Sequence, residues 1–325
     1  MINTYIYTKT DKIMKRLFLT IALAVLSVFG LMAEEKTKIY EFGDITRIES
    51  GLLYQIHITE GTSGKVTLVY ESDYEKHLKV KYGESESKLR LALNEIPNRF
   101  KRGNQPVIHV YLEMDRIDEV VVAGGSAEAV FDGKFTGNDV RVAAGVAAAI
   151  SDLNLECRNL DLTCSGASRA SIKGSVTDRM EIELSGASNA DLNLAAKELE
   201  CNISGASSFS NIGNIAECDI ECSGASKFTN NGDIQVGNIE CSGASLLKLN
   251  GKGSKLDLEG SGACKINTKD FTAMDVMLEL SGASNAAVYA DKTLKYIVSR
   301  ASKLTYYGKA EPVNLDESNN VVKGN

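Results

Sequence analysis

The tetrapeptide Ser-Gly-Ala-Ser recurs through the second half of the chain at an almost constant spacing. Diverged copies begin at Ala123, Ala143 and Ser299, and successive copies begin 18–22 residues apart. A period of about 20 residues is typical of solenoids, in which each repeat buries its apolar face only against its neighbours. The spacing therefore constrains the fold more than any other feature. The clear copies begin at Ser165, Ser185, Ser204, Ser223, Ser242 and Ser281, with Ser-Gly-Ala-Cys at Ser261.

The residues just before each copy alternate between polar and apolar side chains, as in DLTC at 161–164, EIEL at 181–184 and DIEC at 219–222. A period of two indicates a β-strand with one buried face, and such strands stack about 4.8 Å apart. The sequence predicts an all-β parallel β-helix, or solenoid, of about ten 18–22-residue coils. A content of 28 Gly, 3 Pro and no Trp agrees with many tight turns.

The tetrapeptide itself is predicted to form the corner of each coil. Glycine at its second position allows a positive φ, and its small neighbours let one turn lie directly on the next. The serine hydroxyls can hydrogen-bond to the turn backbone or to the serine one coil away. The motif is therefore interpreted as architectural.

The chain divides into four predicted regions. Residues 1–33 are typical of a signal peptide, with basic residues before an apolar run at 17–32 and expected cleavage after Ala33. Residues 34–115 lack the tetrapeptide and are predicted as an N-terminal β region that caps the solenoid. Residues 116–310 form the repeats, and 311–325 form a polar tail. After signal cleavage, no segment reaches the roughly 20 apolar residues of a transmembrane helix.

The charge balance argues against nucleic acid as a partner. The whole chain has a net charge of −7, and residues 34–325 carry 32 basic and 42 acidic residues, a net charge of −10. Nucleic-acid-binding surfaces require concentrated positive charge. An exported protein with a protein or glycan partner is the expectation.

Candidate catalytic chemistry is weak in this sequence, and no enzyme activity is predicted. A serine nucleophile needs a base within hydrogen-bond reach, but His57, His77 and His109 all lie outside the repeats. The Gly-Gly-x-Gly-x-Asp calcium repeat is absent. Coils of 18–22 residues leave no room for the long loops of β-helix polysaccharide enzymes, which remain only a third alternative.

The seven cysteines all lie in the repeats, at 157, 164, 201, 218, 222, 241 and 264. Cys164, Cys222 and Cys241 occupy the same inward position as Leu184 and Ile203, so buried thiols that fill the core are the main interpretation. Export favours disulfides, and Cys222 and Cys241 are one coil apart, but parallel side chains at that spacing are wider than a disulfide prefers. No Cys-x-x-Cys or histidine cluster predicts a metal site.

Two rows of carboxylates are predicted on the outer side of the strands before the corners. Like charges about 4.8 Å apart repel by about 1 kcal/mol even in water. One interpretation is a solvated face that opposes aggregation, and the other is a face that binds divalent cations or a basic partner surface. No other cofactor is expected. The row five residues before each glycine position contains Glu119, Asp139, Asp161, Glu181, Glu200, Asp219 and Asp257, and the row three before contains Glu183, Glu221, Glu240, Glu259 and Glu279.

The order of strands resembles a known bacterial family. The likeness runs from FGDI at 42–45 through IHI at 56–58 and VYL at 110–112 to the corner at Gly124, and covers about 42–310 with its repeats. The chain resembles the putative auto-transporter adhesin head GIN domain family, common in gut Bacteroidota. The resemblance implies a right-handed parallel β-solenoid and a periplasmic, cell-surface or secreted location. It brings no catalytic residues.

The leading hypothesis from the sequence is a non-catalytic exported solenoid that acts as an adhesin-like binding module of the cell envelope. The competing hypothesis is a structural envelope protein whose rod scaffolds other components. The sequence leaves the identity of the partner and the oligomeric state open. The acidic rows are the predicted place for a binding site.

Overall fold

The computed structural model describes residues 34–100, 105–299, 301–316 and 320–324, and the predicted signal peptide 1–33 lies outside them. The described chain is a β-solenoid of about eleven turns whose neighbouring turns pair in parallel, so the predicted fold class is confirmed. Short 3₁₀ turns occur at Ser72–Tyr74, Glu84–Glu86 and Asn98–Phe100. Within the described residues, no helix has the length and apolar character needed to cross a membrane.

Each coil of the repeats has a strand that leads into the corner and a strand that leaves it. We call the stacked strands before the corner the pre-corner sheet, and the stacked strands after it the post-corner sheet. The pre-corner sheet contains β8 (Glu119–Ala123), β11 (Asp139–Gly145), β13 (Asn159–Cys164), β15 (Arg179–Leu184), β17 (Ala196–Ile203), β19 (Ile215–Cys222) and β21 (Ile234–Cys241).

The post-corner sheet is built in the same way and merges with its partner toward the C-terminal end. There, three long strands run through both sheets, namely β22 (Leu246–Gly260), β23 (Lys265–Leu280) and β24 (Asn285–Val298). The other post-corner strands are β9 (Glu128–Asp132), β12 (Ala149–Cys157), β14 (Arg169–Val176), β16 (Asn189–Asn193), β18 (Ser208–Ile212), β20 (Lys227–Asn231) and β25 (Lys303–Tyr307), with a two-residue strand β10 (Phe135–Thr136) after β9.

The corner has one geometry in all the clear copies. Its glycines have φ between +69° and +79°, and a Cβ on any of them would lie 2.4–2.8 Å from a backbone carbonyl oxygen of the corner one coil earlier. The N–H of the following alanine donates to that same carbonyl at 2.6–2.8 Å. Only glycine fits, because any side chain would prevent this hydrogen bond.

The last residue of the tetrapeptide faces the core. Ser168, Ser188 and Ser207 are fully buried, and Ser188 Oγ donates to the carbonyl oxygen of Cys164 at 3.1 Å and is in hydrogen-bond contact with Ser207 Oγ at 3.2 Å. These bonds confirm the predicted contacts to turn backbone and to the next coil. They also satisfy hydroxyls that burial would otherwise leave costly.

The diverged copy predicted to begin at Ala143 was placed two residues too early. Ala144 pairs with Cys164, so the corner of this coil is formed by 145–148 and Val146 holds the glycine position with φ +66°. Val146 is exposed, and as a β-branched residue it is strained at this positive φ. The copies beginning at Ala123 and Ser299 are in the predicted register, because Ala123 pairs with Gly145 and Ser299 N–H donates to the Leu280 carbonyl.

The inward positions form continuous columns, as the alternation predicts. Cys222 is in register with Cys241 on the neighbouring strand, and Phe209 stacks on Phe228 with ring centroids 5.1 Å apart. In one coil the small and the large side chain change places. Gly260 occupies the inward position that holds a large side chain in the other coils, and Cys264 occupies the position of the last corner serine. A Cβ on Gly260 would be 2.9 Å from Cys264 Sγ, so the thiol fills the space. The core of this coil therefore stays as densely packed as that of its neighbours.

The N-terminal region is interleaved with the stack. Its strands are β1 (Glu35–Glu41), β2 (Arg47–Ser50), β3 (Tyr54–Glu60), β4 (Lys65–Glu71), β5 (Leu78–Gly83), β6 (Lys88–Leu93) and β7 (Ile108–Met114). β2 lies between β6 and β8, and β3 lies between β7 and β9, all in parallel. β4 and β5 pair antiparallel with β7 and β6.

The C-terminal tail also contributes strands to the stack. β26 (Glu311–Asn314) pairs with β24, and β27 (Val321–Lys323) pairs with β25. Val313 and Val322 are exposed on these strands. Both strands are short, as is common where a sheet ends, since a short edge offers little for another chain to pair with.

Replacing Gly224 by alanine tests the corner. Gly224 has φ +73°, and a Cβ would lie 2.6 Å from the Gly205 carbonyl oxygen. We expect Gly224→Ala to lower the free energy of unfolding by about 1–3 kcal/mol, measured by urea denaturation. The matched control, Ala225→Ser at the next and exposed position, should stay within about 0.5 kcal/mol of the wild type. Equal stability of Gly224→Ala and the wild type would contradict the steric argument.

Candidate functional site

A groove of about 590 Å³ runs along the stack where the pre-corner sheet meets the corners. One wall is the outward row three residues before the corner glycines, and the other wall is the row of first corner serines. Backbone of the inward column, including Ile203 and Cys222, lies between the walls. We call this feature the acidic groove. Its glutamates are Glu183, Glu221, Glu240, Glu259 and Glu279, and its serines are Ser185, Ser204, Ser223, Ser242, Ser261 and Ser281.

The glutamate wall follows from strand alternation and from register. Glu221 pairs with Glu240, Glu240 with Glu259, and Glu259 with Glu279, so four carboxylates follow one another on adjacent strands. Glu183 is separated from them by Asn202. The row predicted from the sequence is therefore in register. Neighbouring strands are about 4.8 Å apart, which keeps the carboxylates in mutual repulsion.

The second predicted row is confirmed in register except at Asp139. Asp161, Glu181, Glu200 and Asp219 pair in sequence on adjacent strands. The member of this row on β11 is Arg141, which pairs with Glu119 and Asp161. Asp139 lies two residues earlier and pairs with Asn159. The prediction was wrong there because it counted from the misplaced corner at Ala143.

Basic side chains neutralise the N-terminal half of this acidic surface. Arg141 lies 3.6 Å from Glu119 and 3.9 Å from Asp161, and Lys88 Nζ lies 2.6 Å from Glu119. These pairs offset the repulsion expected there, although exposed pairs stabilise the fold only modestly.

Arg179 makes the same kind of contact two coils further on. It reaches Glu181 at 3.6 Å and Glu198 at 3.5 Å, and it also pairs with Glu200. The rows predicted from the sequence contain only carboxylates and therefore omit both arginines. Their signal was available, since Arg141 and Arg179 occupy outward positions of the same alternating strands.

The C-terminal half of the surface lacks such compensation. Within the described ranges, Glu221, Glu240, Glu259 and Glu279 have no lysine or arginine within ion-pair distance. Partial burial raises the pKa of Glu259, and the neighbouring charges of Glu240, Glu279 and Asp257 raise it further. Uncompensated negative charge therefore lies in the C-terminal half of this surface and includes these four glutamates of the groove.

The serine wall adds neutral polar groups. Ser204 Oγ donates to the Leu184 carbonyl oxygen at 3.4 Å, and Ser242 Oγ donates to the Cys222 carbonyl oxygen at 3.4 Å. Both bonds are long, and each hydroxyl keeps acceptor capacity toward the groove. A ligand in the groove therefore meets a carboxylate on one side and a hydroxyl on the other.

The cysteines are all buried and free. Burial raises the pKa of Cys157 and Cys218 to about 12, with a smaller contribution from Asp139 and Asp219 respectively. Such thiols are poor nucleophiles and poor metal ligands at neutral pH. Their burial confirms the interpretation as core filler. In the described part of the chain, no three His, Cys, Asp or Glu side chains converge on a possible metal position.

Comparisons with known proteins give one family and several solved structures. The family described as "Putative auto-transporter adhesin, head GIN domain" matches residues 44–212 and 210–310. No curated protein matches the chain.

The solved structures are similar over most of their length but distant in sequence. A putative adhesin from Parabacteroides distasonis has 13% identity and a TM-score of 0.43, with 90% of this chain and 97% of that chain covered. A putative adhesin from Parabacteroides merdae has 12% identity and a TM-score of 0.39, with 87% and 96% covered. A putative lipid binding protein from Parabacteroides distasonis has 12% identity and a TM-score of 0.36, with 90% and 97% covered.

A Glu259→Gln variant tests the repulsion in the groove. The folded-state pKa of Glu259 is raised above its unfolded value, so the stability it contributes is present below the unfolded pKa and lost as pH rises through the folded pKa. We expect Glu259→Gln to be more stable than the wild type at pH 7, by about 0.2–1 kcal/mol. The difference should vanish below about pH 4, in thermal or urea unfolding.

Glu200→Gln is the matched control for this prediction. Glu200 pairs with Arg179, so its neutralisation removes an attraction and should not raise the stability at pH 7. An equal gain in both variants would indicate an effect of net charge alone. That result would contradict a local repulsion at Glu259.

Proposed function

Because the chain belongs to the putative auto-transporter adhesin, head GIN domain family, we propose that it is a non-catalytic, exported binding module of the bacterial cell envelope. Its binding site is the acidic groove, and its partner presents a basic surface or an extended chain with positive charges. The uncompensated run of four glutamates carries this proposal. The family description supports an adhesin-like role in general terms, and the uncompensated glutamates support the choice of the groove as the site.

The arrangement of the groove favours binding of an elongated partner. The same carboxylate and hydroxyl pair recurs in four consecutive coils, from Glu221 to Glu279, about 4.8 Å apart along the stack. A partner lying along the groove can therefore form several weak contacts at once, and their sum gives affinity. Positive charge on the partner relieves the repulsion between Glu240, Glu259 and Glu279, so binding and charge neutralisation reinforce each other.

The same repetition supports a non-catalytic role. Catalysis requires a unique set of groups whose pKa values and positions differ from one another. The groove instead presents equivalent groups in successive coils, and its serines lie beside carboxylates of the same kind. A surface of this type recognises a repeating or extended partner without needing to transform it.

Export completes the proposal. Residues 1–33 have the pattern of a signal peptide, and the family is adhesin-like. A location at the cell surface allows contact with external partners, whereas a location in the periplasm fits a scaffold within the envelope. The rod-like stack of coils suits either place, so location decides between binding module and scaffold.

A direct binding experiment tests the groove. The probe is a fluorescent oligolysine peptide, and the readout is its affinity by anisotropy at several salt concentrations. We expect the quadruple variant Glu221→Gln, Glu240→Gln, Glu259→Gln, Glu279→Gln to bind at least about tenfold more weakly, equivalent to 1.4 kcal/mol. Binding by the wild type should weaken with salt, because screening reduces charge attraction.

The matched control carries the same change in net charge at exposed carboxylates outside the groove. It combines Asp132→Asn, Glu156→Gln, Glu217→Gln and Glu311→Gln. We expect this variant to keep most of the wild-type affinity. Equal weakening in both quadruple variants would show that net charge, rather than the groove, attracts the peptide.

A second experiment tests the location. Intact cells that express the protein are treated with a protease, and the full-length band is followed by immunoblot. Cleavage without permeabilising the cells supports a surface binding module. Complete protection until the outer membrane is opened would contradict the surface role and favour a periplasmic scaffold.

A further inference from the structure

Two histidines meet on the outer side of the post-corner sheet at its N-terminal end. His57 is on β3 and His109 is on the neighbouring strand β7. They are diagonal neighbours two positions apart in register, since His57 pairs with Tyr111 and His109 pairs with Gln55. His57 Nε2 lies 3.3 Å from His109 Nδ1. The pair is far along the stack from the acidic groove, on coils that the groove does not include.

The two imidazole rings face each other edge to edge. Their planes differ by 25°, and their centroids are 5.5 Å apart. This separation exceeds the nitrogen separation by about the width of one imidazole ring, so the two nitrogens lie close to the line between the centroids. The in-plane directions of both nitrogens consequently point into the same small space between the rings, and a metal ion there requires the tautomer of each ring that places a lone pair on that nitrogen.

The nitrogen separation matches that of two ligands of one metal ion. A histidine nitrogen binds Zn²⁺ at about 2.0–2.1 Å, so two of them at the tetrahedral angle are about 3.3–3.4 Å apart. An ion at this distance from both nitrogens would lie about 35° from the nitrogen–nitrogen line at each of them, so both rings would turn toward it on binding. Without metal, the same contact is an N–H···N hydrogen bond in which one nitrogen donates.

The surroundings of His57 support its ring and favour its neutral form. The Tyr111 ring stacks on His57 with centroids 4.8 Å apart and planes 13° apart. Partial burial lowers the pKa of His57, the neighbouring His109 lowers it further, and Glu128 acts in the opposite direction. Glu128 is on β9, and its Oε1 accepts a hydrogen bond from Ser151 Oγ at 2.9 Å. Neutral imidazole is the form that binds metal.

We propose that His57 and His109 together bind one divalent transition-metal ion of the Zn²⁺, Ni²⁺ and Cu²⁺ class, with water completing its coordination. Imidazole nitrogen is a favoured ligand for these ions, whereas Mg²⁺ and Ca²⁺ prefer oxygen. The ion would link β3 to β7 and so join the two coils at the N-terminal end of the stack. The site is independent of the acidic groove.

Metal titration of the full chain without an affinity tag tests this site. Zn²⁺, Ni²⁺, Cu²⁺ and, as a negative control, Mg²⁺ are added separately at pH 7.5, with calorimetry for stoichiometry and Tm for stabilisation. We expect one transition-metal ion per chain and a higher Tm, because the ion binds the folded state. Affinity should fall at pH 5.5 as the imidazoles become protonated.

Variants assign the ligands. His57→Gln and His109→Gln should each weaken metal binding at least tenfold, while His77→Gln and the quadruple glutamate variant of the groove should leave it unchanged. Retention of wild-type affinity in both His57→Gln and His109→Gln would overturn the proposal, as would the absence of binding by the wild type at 1 mM metal.

Spectroscopy keeps the test decisive if the histidine variants do not fold. The electron paramagnetic resonance spectrum of the Cu²⁺-loaded wild type should show hyperfine coupling to two nitrogens. A spectrum with oxygen ligands alone would contradict the site. Circular dichroism of each metal-free variant shows whether a loss of binding comes from the ligand or from the fold.

Discussion

The structure depends on one hydrogen bond that recurs at all seven clear corners, from the alanine N–H to the carbonyl oxygen of the residue at the glycine position one coil earlier. This bond forms because the glycine has a positive φ and no side chain between the stacked turns. Once neighbouring corners are in contact, the strands before and after them lie at the inter-strand distance of a β-sheet and in register. The buried columns, the serine contacts and the rows of outward charge all follow from that register.

The sequence predicted the solenoid and most of the acidic rows because the corner glycines locate each residue within its coil. The prediction was wrong where the corner sequence has diverged. This corner has valine at the glycine position and alanine at the last serine position, so it was predicted two residues too early. Asp139 consequently took the place of Arg141 in the predicted row. The interleaving of β2 between β6 and β8 could not be predicted either, because those strands carry no tetrapeptide.

The pairing of charges is a second property that alternation alone does not reveal. Alternation indicates which side chains face outward, but the reach of Arg141 and Arg179 across neighbouring strands depends on side-chain length and on diagonal neighbours. These two arginines divide a surface that looks uniformly acidic in sequence into a compensated half and an uncompensated half. Two features therefore define the candidate site among the described residues. One is the row of carboxylates, and the other is the lack of basic side chains beside it.

Because the N-terminal strands are interleaved, the repeats and the N-terminal region differ in whether a coil can be duplicated or lost during evolution. A coil between β11 and β25 contacts only the coil before it and the coil after it, so duplication or loss of about 19 residues there preserves every corner bond. The coil formed by β2 and β3 is stacked between the coil of β6 and β7 and the coil of β8 and β9. Both of these neighbouring coils come later in the sequence. Duplication of that segment would leave strands without partners, so changes in rod length are expected to arise among the glycine corners and not at the N-terminal end.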